Sequence, residues 1–293
     1  MYRFLTLIAF AFSAFAAPAL AEDCVPQFVE SSKTVSVNDI DIGARNISRQ
    51  GFSISVINAG DGDCSAQIRA MRVQGSASRS NLKYSIRSGS SVLDVLPNQT
   101  AAATSNSDLF IGGIPSGDSG TNAPFVLSVP SGWGLKSGFH SEQIQLSLLD
   151  LTGQVVDTLL LNVNVRVPPA VSMRIVGARG AGGVPTINLG VISSRESAAS
   201  DPFGVRVWST SPYQVSFESE NRGFLRHEGG LDEIPYDLRM GGRKVDLGGI
   251  GTFSFPERTS SLGDVHRLRV RAGPAVARAG NYSDRVTVTV SAI

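Results

Sequence analysis

The chain has 293 residues and a formal net charge of +1, with only 17% charged residues and 31 glycines. This near-neutral bulk charge points to neither nucleic acid nor an anionic membrane, and the length allows one large domain or two of about 100–150 residues. Sparse charge, frequent glycine and recurring Val, Ser and Thr suit an all-β chain with many tight turns.

Residues 1–21 read as a secretory signal peptide. Arg3 supplies the positive start, residues 5–17 an apolar stretch, and Ala19-Leu20-Ala21 a small-x-small cleavage site. The apolar run is shorter than the ~20 residues a membrane span needs, so a mature, exported chain is expected to start near Glu22. Cys24 and Cys64 are the only cysteines. In an oxidising compartment they should form one disulfide closing a loop of about 40 residues, worth ~3–4 kcal/mol in the chain-entropy model.

From Glu22 onward no amphipathic helix stands out. Short alternating runs follow one another instead: Phe52-Ser-Ile-Ser-Val56, Ile144-Gln-Leu-Ser-Leu148, Leu161-Asn-Val-Asn-Val-Arg-Val167, Gly204-Val-Arg-Val207 and Leu268-Arg-Val270. Turn-forming clusters separate them, which indicates a sandwich or barrel. The two halves also match in order. Asp39-Ile-Asp-Ile-Gly43 resembles Thr186-Ile-Asn-Leu-Gly190. Phe52–Val56 falls against Phe203-Gly-Val-Arg-Val207, and Leu82-Lys-Tyr-Ser-Ile-Arg87 against Ile234-Pro-Tyr-Asp-Leu-Arg239. The Tyr84-to-Tyr236 offset of about 152 residues is the size of one sandwich domain. We therefore expect two tandem domains, 22–168 and 169–293, divided at Pro168-Pro169, which cannot donate to a ladder.

One further match separates the halves. Residues 137–148 correspond to 279–290, the segment ending in Val286-Thr-Val-Thr-Val290. In the first half a Thr152-Gly153 turn leads on into another strand, residues 155–167. In the second half the sequence stops at Ile293. The second domain is thus expected to lack its last strand and to leave a groove lined by Val171, Met173, Ile175, Val286, Val288 and Val290. Such an edge exposes apolar side chains and unpaired backbone groups and can capture a strand from another chain. The competing expectation is that residues 171–175 double back and cover it.

The Ala279-Gly-Asn-Tyr-Ser-Asp-Arg-Val-Thr-Val-Thr-Val290 ending resembles the final strand of chaperone–usher pilus subunits. Thr186–Gly190, Pro212-Tyr213-Gln-Val-Ser-Phe217, Phe224-Leu225 and Ile234-Pro-Tyr236 together resemble a spore coat protein U domain of the archaic pilin group. The resemblance implies incomplete Ig-like sandwiches. It also implies a periplasmic chaperone that lends a strand, an outer-membrane usher, and an adjacent pilus subunit that replaces that strand. In many such domains a disulfide runs from near the start to the end of the second strand. Cys24 and Cys64 fit that pattern in the first half, and the second half has no such pair. No free alternating donor segment precedes Cys24, and this arrangement is similar to tip adhesins.

For chemistry, His140, His227 and His266 are scattered without metal-ligand spacing, and no nucleophile elbow or P-loop occurs. Residues 177–183 read as a Gly-rich loop, the Asp61-Gly-Asp63 run as a turn, and the Asn98-Gln-Thr100 sequon as chance. No cofactor is expected. Candidate surface-binding loops are 107–115, with Phe110, Ile111 and Ile114, and 131–135, with Trp133. Their apolar residues either reach a host or abiotic surface or simply cap the first core. The reading is a non-enzymatic exported pilus tip subunit for surface attachment or biofilm formation. Rivals are a periplasmic pilus-assembly chaperone, a secreted structural coat protein, and a carbohydrate-active enzyme, for which Asp232-Glu233 is the only tempting acidic pair.

Overall fold

The computed structural model describes residues 24–38, 40–44, 46–62, 64–73, 82–98, 101–103, 107–178, 184–230 and 232–293. The signal-type segment 1–21, Asp39, Asp63, sequon positions 99–100 and loop residues 179–183 lie outside the described residues. Among the described residues the chain is all-β. Its first half holds β1 (Pro26–Phe28), β2 (Ser32–Val37), β3 (Ile47–Asn58), β4 (Cys64–Arg72), β5 (Ser85–Ser88), β6 (Ser91–Leu93), β7 (Val95–Leu96), β8 (Asp108–Ile114), β9 (Gly117–Pro130), β10 (Gly138–Leu149) and β11 (Val155–Val167). The second half holds β12 (Val171–Val176), β13 (Ala198–Ala199), β14 (Phe203–Ser209), β15 (Tyr213–Ser219), β16 (Phe224–His227), β17 (Glu233–Met240), β18 (Arg243–Lys244), β19 (Ile250–Phe255), β20 (Asp264–Ala272), β21 (Tyr282–Ser283) and β22 (Val286–Ala292).

The N-terminal sandwich packs a sheet ordered β1-β3-β9-β5-β6 on one ordered β2-β11-β10-β4-β7, with β8 also on β4. Alternation directs every second side chain inward. Ile54, Val56, Phe125 and Leu127 of the first sheet meet Ile68, Ile144, Leu146 and Leu161 of the second in one buried cluster. A disulfide joins Cys24, ahead of β1, to Cys64 at the start of β4, with the Cα atoms 5.2 Å apart.

The C-terminal sandwich packs a sheet ordered β12-β14-β20-β17-β16-β21, with β13 on β20 and β18 on β17, against a three-stranded sheet ordered β19-β15-β22. Its core gathers Val205, Val207, Tyr213, Val215, Phe217, Leu238 and Leu268. The two sandwiches repeat one another over seven strands. The order β1-β3-β9-β5 returns as β12-β14-β20-β17, and β10-β4-β8 returns as β22-β15-β19, antiparallel at every step. The C-terminal sandwich has no counterpart of β11 or of β2, which pairs parallel to it, among the described residues.

The first core's strands end at Val167 and the second's begin at Val171, with Pro168, Pro169 and Ala170 between them. Thr210 holds this crossing. Its hydroxyl donates to the Pro168 carbonyl at 2.9 Å and accepts from the Ala170 N–H at 2.8 Å. Across the junction, the Ser137 N–H donates to the Thr210 carbonyl and Arg258 donates to the Gly134 carbonyl.

Candidate functional site

In β22, Val286, Val288 and Val290 point towards the second core but stay half-buried, while Thr287 and Thr289 face solvent. One edge of β22 pairs with β15 from Ser219↔Val286 to Tyr213↔Ala292, and the other has no partner among the described residues. Matching side chains on β10 are sealed: Ile144, Leu146 and Leu148 are 0%, 1% and 0% exposed. They differ because β11 lies along the outer edge of β10, antiparallel, with Leu161 opposite Ile144 and Leu159 opposite Leu146.

The other wall of the opening is β12. It pairs with β14 in the opposite sheet, Met173 against Val207 and Ile175 against Val205, and its outer edge is free among the described residues. Residues 171–175 therefore do not double back over β22: they form the edge strand of the opposite sheet, paired with β14, and make no ladder with β22. Val171 and Ile175 pack against the second core, Met173 is 38% exposed, and β12 lies beside β22. In the first sandwich the corresponding space is filled by β11, which lies against both β10 and β1.

A polar clamp sets the start of β22. Asp284 accepts from the Tyr236 hydroxyl at 2.5 Å, from Ser219 Oγ at 2.6 Å and from the Asn221 N–H at 2.9 Å. Burial, and secondarily the Asp284 carboxylate, push the Tyr236 phenol well above its ordinary range, so it remains a donor. The Gly280-x-Tyr282-x-Asp284 spacing has a local cause. A Cβ on Gly280 would overlap the His227 ring, which packs edge-on to Tyr282 at 5.1 Å. The first sandwich has a related acid at the matching position: Glu142 pairs with Arg72 at 2.5 Å beside the half-buried Tyr84. The Tyr84/Tyr236 match in the sequence pointed to this place, but its acidic partners were not singled out.

Of the four apolar residues assigned to surface loops, Ile111 and Ile114 need correction. Residues 108–114 form β8, paired with β4 through Gln67↔Phe110 and Ala66↔Ile111. Ile111 is 6% and Ile114 0% exposed, so both belong to the core, and only Phe110 (60%) faces solvent. Trp133 is partly buried against the first core, in the segment that meets the C-terminal sandwich. Phe110 lies level with Leu149, because both pair opposite Gln67. Trp133 instead lies beyond Gly138, so about ten residues of strand, roughly 30 Å, separate the two. The end that carries Phe110 also exposes Leu151 in the β10–β11 turn, Val155 and Val156 after it, and Val25 and Val29 flanking β1. Their sequence signal is faint. Leu151 sits within an Asp-Leu-Thr-Gly turn, and Val155-Val156 break the alternation.

Other candidate chemistry is occupied structurally. Asp232 pairs with Arg278 at 3.3 Å and Glu233 with Arg226 at 2.9 Å. The His266 ring accepts from or donates to the Tyr213 hydroxyl at 2.8 Å and lies on Phe255. Among the described residues, no group of three or more His, Cys, Asp or Glu could hold a metal ion.

No family model matches the chain, and no curated protein sequence matches it. Solved structures of similar arrangement include a chain of the CsuC–CsuE chaperone–tip adhesion subunit complex from the archaic chaperone–usher Csu pili of Acinetobacter baumannii. It has 15% identity and a TM-score of 0.44, covering 90% of this chain and 99% of that one. A chaperone–tip adhesin complex of CFA/I fimbriae has 12% identity and a TM-score of 0.41, covering 90% and 96%. The CupB6 tip adhesin of Pseudomonas aeruginosa has 10% identity and a TM-score of 0.36, covering 83% and 87%. All three scores lie below 0.5, so these likenesses carry no weight in assigning a function.

Proposed function

We propose that this protein is an exported subunit of a surface fibre, completed by a strand that another chain supplies to its C-terminal sandwich. The observation that carries the reading is the outer edge of β22, open where its counterpart β10 is covered by β11. A strand laid antiparallel along β22, as β11 lies along β10, would pair its backbone and bury Val286, Val288 and Val290. Full burial of such side chains is worth roughly 1.5–3 kcal/mol each, and part of that is already gained.

In the proposed assembly a periplasmic chaperone holds the opening first, an outer-membrane usher receives the complex, and an adjacent pilus subunit then supplies the permanent strand. The N-terminal sandwich, closed by its own β11, is the adhesive tip. Its far end, with Phe110, Leu151, Val155 and Val156, is the proposed contact with a host or abiotic surface. No cofactor or enzymatic step enters this role.

A peptide of this chain's own closing strand, residues 158–167, is the direct test. Thermal unfolding of the full chain is followed at rising peptide concentration, with a scrambled peptide as control. The C-terminal transition is expected to rise, by about 2.7 kcal/mol at one hundred times Kd. A C-terminal transition already as high as the N-terminal one, and indifferent to the peptide, would sink the reading.

A further inference from the structure

The outer face of the large C-terminal sheet gathers a cluster of cations. On β20, Leu268 and Ala272 point into the core, so Arg267, Arg269 and Arg271 point out. Strand register then places neighbours beside them. Arg269 stands directly opposite Arg239, and Arg239 opposite Lys244. On the other flank Arg174 stands directly opposite Arg206. These seven cations share the face with two carboxylates, Asp237, which pairs with Lys244 at 2.6 Å, and Glu233 farther along β17, which pairs with Arg226 at 2.9 Å. Among the described residues Arg174, Arg239, Arg267 and Arg269 form no ion pair.

Like charges set directly across a ladder destabilise a sheet, and here three such contacts share one surface of a chain whose net charge is only +1. The concentration of charge is local and one-sided. We infer that this face binds a linear polysaccharide carrying carboxylate or sulfate groups. Six of the seven cations are arginines, whose planar forks suit bidentate contact with such groups. Arg267, Arg269 and Arg271 recur about every 7 Å along the strand, with further cations about 5 Å away on neighbouring strands, a spacing that a chain with repeated anionic groups can follow.

Other polyanions fit less well. Single-stranded nucleic acid needs successive aromatic stacking platforms, and of the two aromatics on this face Trp208 is covered by the Arg206 guanidinium at 5.9 Å while Phe224 stands apart on β16, opposite Pro235. A flat sheet offers no element to enter a duplex groove. Anchoring in a lipid interface needs a band of large apolar side chains, and on β20 this face carries only Val265. The disulfide suits an oxidising, extracytosolic setting. The cationic face is also separate from the opening between β12 and β22, so it stays available whether or not a strand is bound there.

Titration calorimetry of the full chain with a heparin octasaccharide at 50 and 150 mM salt tests the inference. Binding is expected at 50 mM and should weaken at 150 mM. The triple variant Arg239→Gln, Arg267→Gln, Arg269→Gln should lose at least tenfold in affinity. A charge-matched control on the other sandwich, Arg49→Gln, Lys83→Gln, Arg87→Gln, should lose less than twofold. Should the first triple fail to fold, Arg267→Gln and Arg269→Gln are measured singly, each expected to weaken binding two- to fivefold. Absence of binding at 50 mM, equal losses in the two triples, or unchanged affinity in both single variants overturns the inference. So does tighter binding of a 20-base-pair DNA duplex or of phosphatidylglycerol vesicles.

Discussion

Ile144, Leu146 and Leu148 on β10 occupy the same places as Val286, Val288 and Val290 on β22, on strands that pair with matching neighbours on one side. The first trio is sealed and the second half-buried. Both are apolar and both alternate, so hydrophobicity does not decide the difference; the strand beyond them does. In the N-terminal sandwich that strand arrives through a short turn, where Asp150 accepts from the Thr152 and Gln154 N–H groups. Closure within one chain over so short a loop carries little entropic cost. In the proposed assembly a strand from another chain must also offset the loss of translational and rotational freedom on association, which would make the second closure a binding event.

The largest break in this comparison is expected from matched truncations. Leu146→Ala should lower the N-terminal unfolding transition by about 2–5 kcal/mol, the range for a sealed leucine. Val288→Ala should cost the C-terminal transition about 1 kcal/mol or less in the free chain, and visibly more once the 158–167 peptide is bound. Equal costs in the free chain would mean that the β22 face is as closed as the β10 face. Next in size is the disulfide. Replacing Cys24 and Cys64 by Ser should remove about 2–4 kcal/mol from the N-terminal transition alone, read as a shift of one of two melting steps.

The smallest effect is a pH dependence confined to the C-terminal sandwich. Burial holds the His266 imidazole below its ordinary value, with the Asp264 carboxylate opposing. The folded state therefore favours neutral His266. Its contribution is complete above the unfolded value near 6.5 and is lost as pH falls through the lowered folded value. Melting between pH 7.5 and 5 should lower the C-terminal step by a few degrees more in the wild-type chain than in His266→Gln. Identical slopes in the two proteins would remove His266 from the account.

Much of the architecture could be read from the sequence because period-2 alternation and an ordered duplication are local or self-comparing signals. The matches of Phe52–Val56 with Phe203–Val207, and of the Tyr84 strand with the Tyr236 strand, correspond to β3 with β14 and β5 with β17. Cys24 and Cys64 had no other possible partners. The misreading of 107–115 as a loop has a plain cause. Gly112 and Gly113 look like turn residues, and Gly113 does adopt a left-handed φ of 63°, but they form only a register shift within the β4–β8 ladder, which resumes at Ile114. The Asp284 clamp and the cationic face were hidden for a different reason. Arg174, Arg206, Arg239 and Arg269 come from four strands spread over about a hundred residues, and only sheet order and register put them side by side.

The bare edge of β22 also bears on supply. Protein edges are commonly guarded by charge, proline or a bulge, and the side chains of Val286–Ala292 carry none of these. An edge without gatekeepers templates pairing with any compatible strand, including one from another copy of the same chain. Encounters between copies grow with the square of concentration, whereas capture by a strand-bearing partner grows with the product of the two. The fate of newly made chains is thus a kinetic competition. Under the proposed function it is set by the ratio of this protein to a strand-donating partner, and a surplus of this chain would drain into aggregates.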